Sequence, residues 1–175
     1  MPDSALRLFF ALPCPPALAA EVCAWRDRLA ASGRPVRRDN LHVTLAFLGS
    51  QPANRLPALY ELAARQSGEP FTLHFDRLER WRSGPLVLTC GEPPAALMVL
   101  AARLQAALAE SGVTLDARPY RPHLTLMRDA RPFTGVEPDF SLAVERFALY
   151  RSEQGPDGVR YACLRDWPLA PPAGA

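Results

Sequence analysis

The 175-residue sequence has no lysine: all 20 of its basic residues are arginine. This closes off chemistry that needs a lysine nucleophile, including Schiff bases and the enzyme-lysyl-adenylate of ATP-dependent ligases. Arginine's planar fork suits phosphate, although a lysine-free chain is also what a GC-rich genome produces. Neither sign of charge dominates, and a net charge of +2 is no argument for nucleic acid by itself. The four cysteines, Cys14, Cys23, Cys90 and Cys163, have no C-x-x-C or zinc-type spacing. A chain of this length does not depend on disulfide staples, so reduced thiols in a cytoplasm are expected. No apolar run approaches a membrane span. Leu6 to Ala20 could pass for a signal sequence, but Pro13, Pro15 and Pro16 interrupt it and Asp3 stands where a basic residue belongs.

Histidine is also scarce. Two of the three histidines fall in one short pattern that the chain writes twice, His42-Val43-Thr44-Leu45 and His123-Leu124-Thr125-Leu126. On an extended strand, residues two apart share a face. Each copy then presents an imidazole and a hydroxyl on one side and two aliphatic residues on the other. The aliphatic side reads as core and the polar side as one wall of a cleft.

The surrounding sequence alternates strand and helix in both halves. Leu6 to Leu12 reads as a buried strand, and Pro16 opens a helix that Gly33 stops. Pro35 to Asp39 suggests a short edge strand, and Asn40 to Gly49 the first motif strand. A second helix around Leu56, Leu59 and Ala63 ends near Gly68. Phe71 to Trp81 and Leu86 to Cys90 read as strands, and Pro94 starts a third helix that ends at Gly112. His123 to Arg128 is the second motif strand. Leu142 to Tyr150 and Val159 to Trp167 look like two more, joined by a turn at Gly155 to Gly158. The motif copies lie about half a chain length apart, which suggests a duplicated unit. The fold expected is α+β and bilobal, with two antiparallel sheets facing each other across a central groove and helices on the outer faces. Residues 1–167 form a single domain with no linker between the halves, and residues 168–175 are expected to be a flexible tail.

Imidazole titrates nearest neutral pH. One neutral histidine can take a proton from water while a protonated one donates to a leaving oxygen, and the pair needs no metal. Thr44 and Thr125 are placed to donate hydrogen bonds to a non-bridging phosphate oxygen. Two histidines on separate strands, with no third histidine and no carboxylate at ligand spacing, form no evident zinc or iron site. His74 has no threonine at the same offset and reads as an exposed edge residue. Arg34, Arg37 and Arg38 precede the first motif, and Arg118, Arg121, Arg128 and Arg131 flank the second, as a positive rim would. Arg128 is the foremost of these, yet strict alternation puts it on the opposite face from His123. Phe9, Phe47 and Tyr120 are aromatics near the groove on which a base could stack. Core packing is the competing reading for Phe9 and Phe47, and Tyr120, between two prolines, is expected to be exposed.

Three stretches resemble the two-histidine phosphoesterase superfamily, and more narrowly the RNA 2′,3′-cyclic phosphodiesterases, also called the 2′-5′ RNA ligase family. They are Arg7 to Leu12, Asp39 to Gly49 and Arg118 to Arg128; Phe147 to Tyr150 followed by Tyr161 to Leu164 is also similar. The resemblance runs from about residue 6 to residue 167 with no departure at the motif positions. It implies hydrolysis of a terminal 2′,3′-cyclic phosphate to a 2′-phosphate without metal or nucleotide cofactor. His42 would protonate the leaving 3′ oxygen and His123 would activate the water. With a 5′-hydroxyl RNA end in place of water, the same chemistry would give a 2′-5′ linkage. The implied partner is RNA with a cyclic phosphate end, tRNA fragments among the candidates, or a cyclic nucleotide. A cytoplasmic monomer that does not engage membranes is expected. A small-nucleotide phosphodiesterase and a non-catalytic RNA-binding module stay open as alternatives.

Overall fold

A computed structural model, describing residues 4–133 and 135–170, places the apolar run Leu8 to Leu12 at the centre of strand β1 (Ala5–Pro13), with none of the five residues more than 3% exposed. Pro13 closes the strand, and Pro16, which has no N–H to leave unpaired, opens helix α1 (Pro16–Asp27). After β2 (Arg34–Pro35) come β3 (His42–Pro52), α2 (Leu56–Ala64), β4 (Phe71–Phe75), β5 (Arg77–Arg80) and β6 (Leu86–Thr89). Then follow α3 (Ala95–Glu110), β7 (His123–Arg128), β8 (Phe140–Val144), β9 (Arg146–Gly155) and β10 (Gly158–Pro168). Gly112, at φ 93°, ends α3: its N–H reaches the Ala109 carbonyl and the Val113 N–H the Leu108 carbonyl. Only a residue comfortable in the left-handed region closes a helix that way.

Two antiparallel sheets result. The larger runs β10-β9-β1-β3-β7-β6-β5, with β2 also on β7, and the smaller is the pair β4-β8. The duplication is visible in the strand order. Outward from the central β3 and β7 lie β1 and β6, then β9 and β5. The two strands that precede β5 and β9 in the chain pair with each other. The halves are joined along the motif strands at a single registered pair, Val43 with Leu124. One side of the large sheet packs on the helices: Leu8, Phe10 and Leu12 share a core with Val22, Leu59, Leu97, Leu100, Leu104 and Leu108. The other side carries the two motifs.

Several boundaries differ from the sequence reading. Phe71 to Trp81 is two strands that part at Asp76, and Leu142 to Tyr150 is two that part at Glu145. At each corner the chain leaves the small sheet for the large one. Each corner carries two charged residues, Asp76-Arg77 and Glu145-Arg146, and the apolar positions change phase there, from Phe75 to Leu78 and from Val144 to Phe147, a break that the sequence reading ran across. The edge strand near Pro35 has only two residues, and a 3₁₀ turn over Arg38–Asn40 follows. The first helix ends at Asp27 and the second at Ala64, short of the glycines expected to stop them. Residues 168–170, expected to belong to the tail, are held in the fold. Pro168 ends β10, Leu169 is buried with its N–H on the Glu145 carbonyl, and the Ala170 N–H reaches the Gly68 carbonyl. Residues 171–175 lie outside the described residues. Among the described residues no helix is long and apolar enough to cross a membrane.

Candidate active site

The two motif strands carry the same burial sequence over their first six residues. His42 and Thr44 are half-buried between buried Val43, Leu45 and Ala46, and Phe47 is exposed. His123 and Thr125 are half-buried between buried Leu124, Leu126 and Met127, and Arg128 is exposed. A strict two-residue period would turn Phe47 and Arg128 away from their histidines. Register explains why it does not. On β3, Thr44 pairs with Ala11 and Ala46 with Phe10, so Leu45 is an extra residue; on β7, Thr125 pairs with Val87 and Met127 with Leu86, so Leu126 is one. A bulge of this kind shifts the phase of everything after it, and such bulges often sit beside active sites. Phe47 returns to the face of His42, and Arg128 to that of His123.

Both imidazoles are oriented by the same device. His42 Nδ1 lies 2.7 Å from the Asn40 carbonyl oxygen, and His123 Nδ1 lies 2.9 Å from the Arg121 carbonyl oxygen. A carbonyl only accepts, so each Nδ1 carries the hydrogen and each Nε2 is the atom that exchanges protons. In the neutral form the Thr44 hydroxyl donates to His42 Nε2 over 3.1 Å. Burial lowers the His42 pKa to about 4, the Asn40 hydrogen bond opposes the shift, and the charges of His123 and Arg128 add to it. His123 is also lowered, first by burial; its hydrogen bond to Arg121 opposes, and the charges of Arg121 and Arg128 add to the fall. His42, His123 and Arg128 are thus close enough to bear on one another electrostatically.

The remaining expected residues divide. Arg128 is exposed and has no carboxylate partner among the described residues. Half of the rest of the expected rim is neutralised: Arg34 pairs with Asp129, Arg118 with Asp116 and Arg121 with Glu79. Phe47 is 46% exposed, with the Arg7 guanidinium 4.9 Å from its ring centre, so the core reading fails for it. Phe9 is 3% exposed and packs its ring 5.0 Å from that of His42, so it supports the imidazole and offers no open face for a base. Tyr120 is half-buried rather than exposed. Its hydroxyl donates to the Thr44 carbonyl over 2.8 Å, because β3 and β7 have separated there and leave that carbonyl to be satisfied. His74 is exposed and pairs with Asp139 at 2.6 Å, away from the motifs.

Sequence reasoning missed Trp81 and Tyr161. The Trp81 ring lies 4.4 Å from that of His123, and Tyr161 presents its ring edge-on to His42 at 5.1 Å. Trp81 stands between Arg80 and Arg82 before a Ser-Gly-Pro turn, and an aromatic so isolated from apolar neighbours was a usable signal. Two basins meet at Thr44 and Phe47. One, of about 330 Å³, reaches past His123, Trp81 and Tyr120; the other, of about 610 Å³, reaches past His42, Arg7, Arg128 and Tyr161.

Two imidazoles that can exchange protons at Nε2, an arginine with no carboxylate partner among the described residues and two adjoining basins suit an anionic nucleotide end. The sequence profile of the 2′-5′ RNA ligase superfamily matches residues 14–156. The chain belongs to that superfamily. It is 40% identical to the RNA 2′,3′-cyclic phosphodiesterase of Escherichia coli K12, over 93% of this chain and 96% of that one. The Thermus thermophilus protein of the same name is 30% identical, over 94% and 90%. The crystal structure of E. coli LigT with 3′-AMP superposes at a TM-score of 0.91 with 39% identity, covering 96% of this chain and all of that one. The superfamily likeness noted in the sequence thus extends across the fold.

Proposed function

We propose that this protein is a metal-independent phosphodiesterase that opens 2′,3′-cyclic phosphate ends of RNA to 2′-phosphates. The observation that carries the reading is the matched pair of Nε2 atoms. Each belongs to an imidazole whose other nitrogen is held on a carbonyl two residues back. Water attacks phosphorus as His123 Nε2 takes its proton. The bond from phosphorus to the 3′ oxygen breaks as His42 gives that oxygen the proton on its own Nε2. Thr44, Thr125 and Arg128 hold the non-bridging oxygens, and Phe47 stacks on a base. A bound phosphate anion stabilises both imidazolium forms, which supplies the protonated partner that burial disfavours in the free protein. With a 5′-hydroxyl in place of water, the same two proton transfers form a 2′-5′ phosphodiester. The relatives share the name of this activity, and the reading takes the enzyme as a cytoplasmic monomer.

The test is turnover of a short oligonucleotide ending in a 2′,3′-cyclic phosphate, in EDTA. His42→Ala and His123→Ala should each slow it by about 10²-fold to 10⁴-fold, since each removes one proton transfer. A single variant that keeps most of its rate would break the acid–base assignment. Wild-type binding without conversion would leave only the RNA-binding module. A mononucleotide cyclic phosphate, turned over as well and with little salt dependence, would move the substrate class to small nucleotides.

A further inference from the structure

The His123 side of the site holds a closed ring of contacts that centres on a residue outside both motifs. Glu79, on β5, accepts from the Arg121 guanidinium with both carboxylate oxygens, at 2.7 Å each, and also accepts from the Thr89 hydroxyl. Arg121 lies two residues before His123, and its carbonyl is the one that takes the His123 Nδ1–H. Thr89 is the ladder partner of His123 on the neighbouring strand β6. The carboxylate therefore ties the residue that aims the imidazole to the residue directly opposite it across the sheet. The Arg121 guanidinium also lies 5.2 Å from the centre of the Trp81 ring, and that ring packs on His123. Holding Arg121 thus fixes both the hydrogen bond at one edge of the imidazole and the aromatic surface against its face.

The other half of the fold meets the same need with different atoms. His42 donates to the Asn40 carbonyl, and Asn40 is anchored by its own side chain, whose amide donates to the Val159 carbonyl of β10 over 2.8 Å. Asn40 is 8% exposed. In both halves the orienting carbonyl belongs to a residue whose side chain is tied to another strand. On the His42 side the tie is a buried amide and a backbone oxygen. On the His123 side it is an ion pair whose arginine is half exposed, so the tie depends on a single carboxylate.

We propose that Glu79 is the positioning residue for His123, acting through Arg121 and Thr89 to hold the imidazole with Nε2 on the phosphate. The inference rests on the catalytic reading of His123 only for its kinetic consequence. The geometric consequence stands apart from it. Neutralising Arg121 has a second effect, because a bare guanidinium beside His123 disfavours the imidazolium. The charged and titratable groups around this ring are Arg121 before β7, Arg128 at its end, His42 on β3, and Glu79 with Arg77 on β5. Burial raises the Glu79 carboxyl, but hydrogen bonds from Thr89 and Arg121 outweigh that and hold it below its ordinary value, so it stays ionised through the neutral range.

The test uses the full chain and two readouts. The first is the low-field Nδ1–H proton signal of each imidazole, assigned with the His42→Ala and His123→Ala variants, and it requires no substrate. Glu79→Ala should lose or broaden the His123 signal and leave that of His42 in place. The second is turnover of a cyclic-phosphate oligonucleotide, where kcat should fall about tenfold to a hundredfold while KM changes less than threefold, as for a misplaced group. Glu79→Gln keeps one acceptor oxygen, which at the place of Oε2 takes both Thr89 and Arg121, so it should restore the signal in part but move the His123 titration to lower pH while leaving His42 where it was. If Glu79→Ala keeps both N–H signals and a wild-type kcat, the proposal is overturned. If Glu79→Ala does not fold, Glu79→Gln decides: an acid-shifted His123 titration supports the proposal, and an unchanged one ends it. A wild-type protein inert on cyclic phosphates refutes the functional reading, while the N–H signals still judge the role of Glu79.

Discussion

Tyr120 offers a sharp test of how the halves are held together. The motif strands share one registered pair, Val43 with Leu124, and the next carbonyl outward on β3, that of Thr44, is taken by the Tyr120 hydroxyl at 2.8 Å. Burial pushes the Tyr120 phenol well above its ordinary pKa, so the hydroxyl keeps its proton and stays a donor at any working pH. Tyr120→Phe keeps the ring and removes only this bond. A hydrogen bond of this kind contributes about 1 kcal/mol net, and a carbonyl left unsatisfied costs about 1–3 kcal/mol. The small basin borders Thr44 and Tyr120, so water can reach part of the way and the lower end applies, about 1–2 kcal/mol. For a chain of this size each 1 kcal/mol lowers Tm by about 2–4 °C, giving a fall of about 2–8 °C. Urea denaturation followed by far-UV circular dichroism should show a lower midpoint with an unchanged slope, since the surface exposed on unfolding is the same. Thr44 sits beside His42, so kcat/KM on a cyclic phosphate should fall several-fold as well. A Tyr120→Phe protein that matches the wild type in midpoint and in kcat/KM would show that the contact does not join the halves.

Arg128→Ala removes a charge that bears on both histidines and has no carboxylate partner among the described residues. It should cost about tenfold to a hundredfold in kcat/KM, the worth of one charge-assisted hydrogen bond, and raise the titration of both imidazoles followed by NMR; unmoved titrations would place Arg128 outside the site. The pH dependence has a definite sign. Burial lowers both histidines, His42 to about 4, while the proposed mechanism needs one of them protonated. The competent free enzyme therefore thins out as pH rises above the imidazole values. kcat/KM should be greatest below pH ~6.5 and fall towards about tenfold per pH unit above it, while kcat, which reports the phosphate-bound form, should hold to higher pH. Coincident profiles for the two parameters would contradict the anion's role in raising the imidazoles. Phe47→Ala should weaken a cyclic-phosphate dinucleotide by about 1–3 kcal/mol, and Phe47→Trp should not; equal loss on an abasic analogue would rule out stacking.

The two-residue period was enough to put each histidine and its threonine on one face of a strand, because that part of each motif strand is regular and its other face is core. It misplaced Arg128 because Leu126 and Met127 are both apolar, and a bulge between two apolar residues leaves no mark in composition. The corners at Asp76 and Glu145 differ: a charged pair interrupts the apolar alternation at each, but a short interruption in a strand-like run does not say that the chain changes sheets. Tyr120 was misread for a different reason. Flanking prolines and arginines describe the local chain, whereas the tyrosine is claimed by a carbonyl on a distant strand. Glu79 belongs to the same class, since its importance comes from β5 lying beside β6 and β6 beside β7, and that order is tertiary.

Phe47 and Arg128 occupy equivalent places, each five residues after its histidine and each returned to the site by the same kind of bulge. Duplication supplies one backbone device twice, and the side chains at its end then differ in kind. An aromatic ring stands on the His42 strand and a charged fork on the His123 strand. A site with true twofold symmetry would accept a phosphodiester in either sense. If the ring stacks and the cation grips oxygen as proposed, that equivalence is broken and a nucleotide end should lie in one direction only. Exchanging the two residues, Phe47→Arg with Arg128→Phe, keeps the composition and both bulges. If direction is set at these two positions, the exchange should lower kcat/KM by more than either single change to alanine. An exchanged protein as active as the wild type would mean that orientation is fixed elsewhere in the groove.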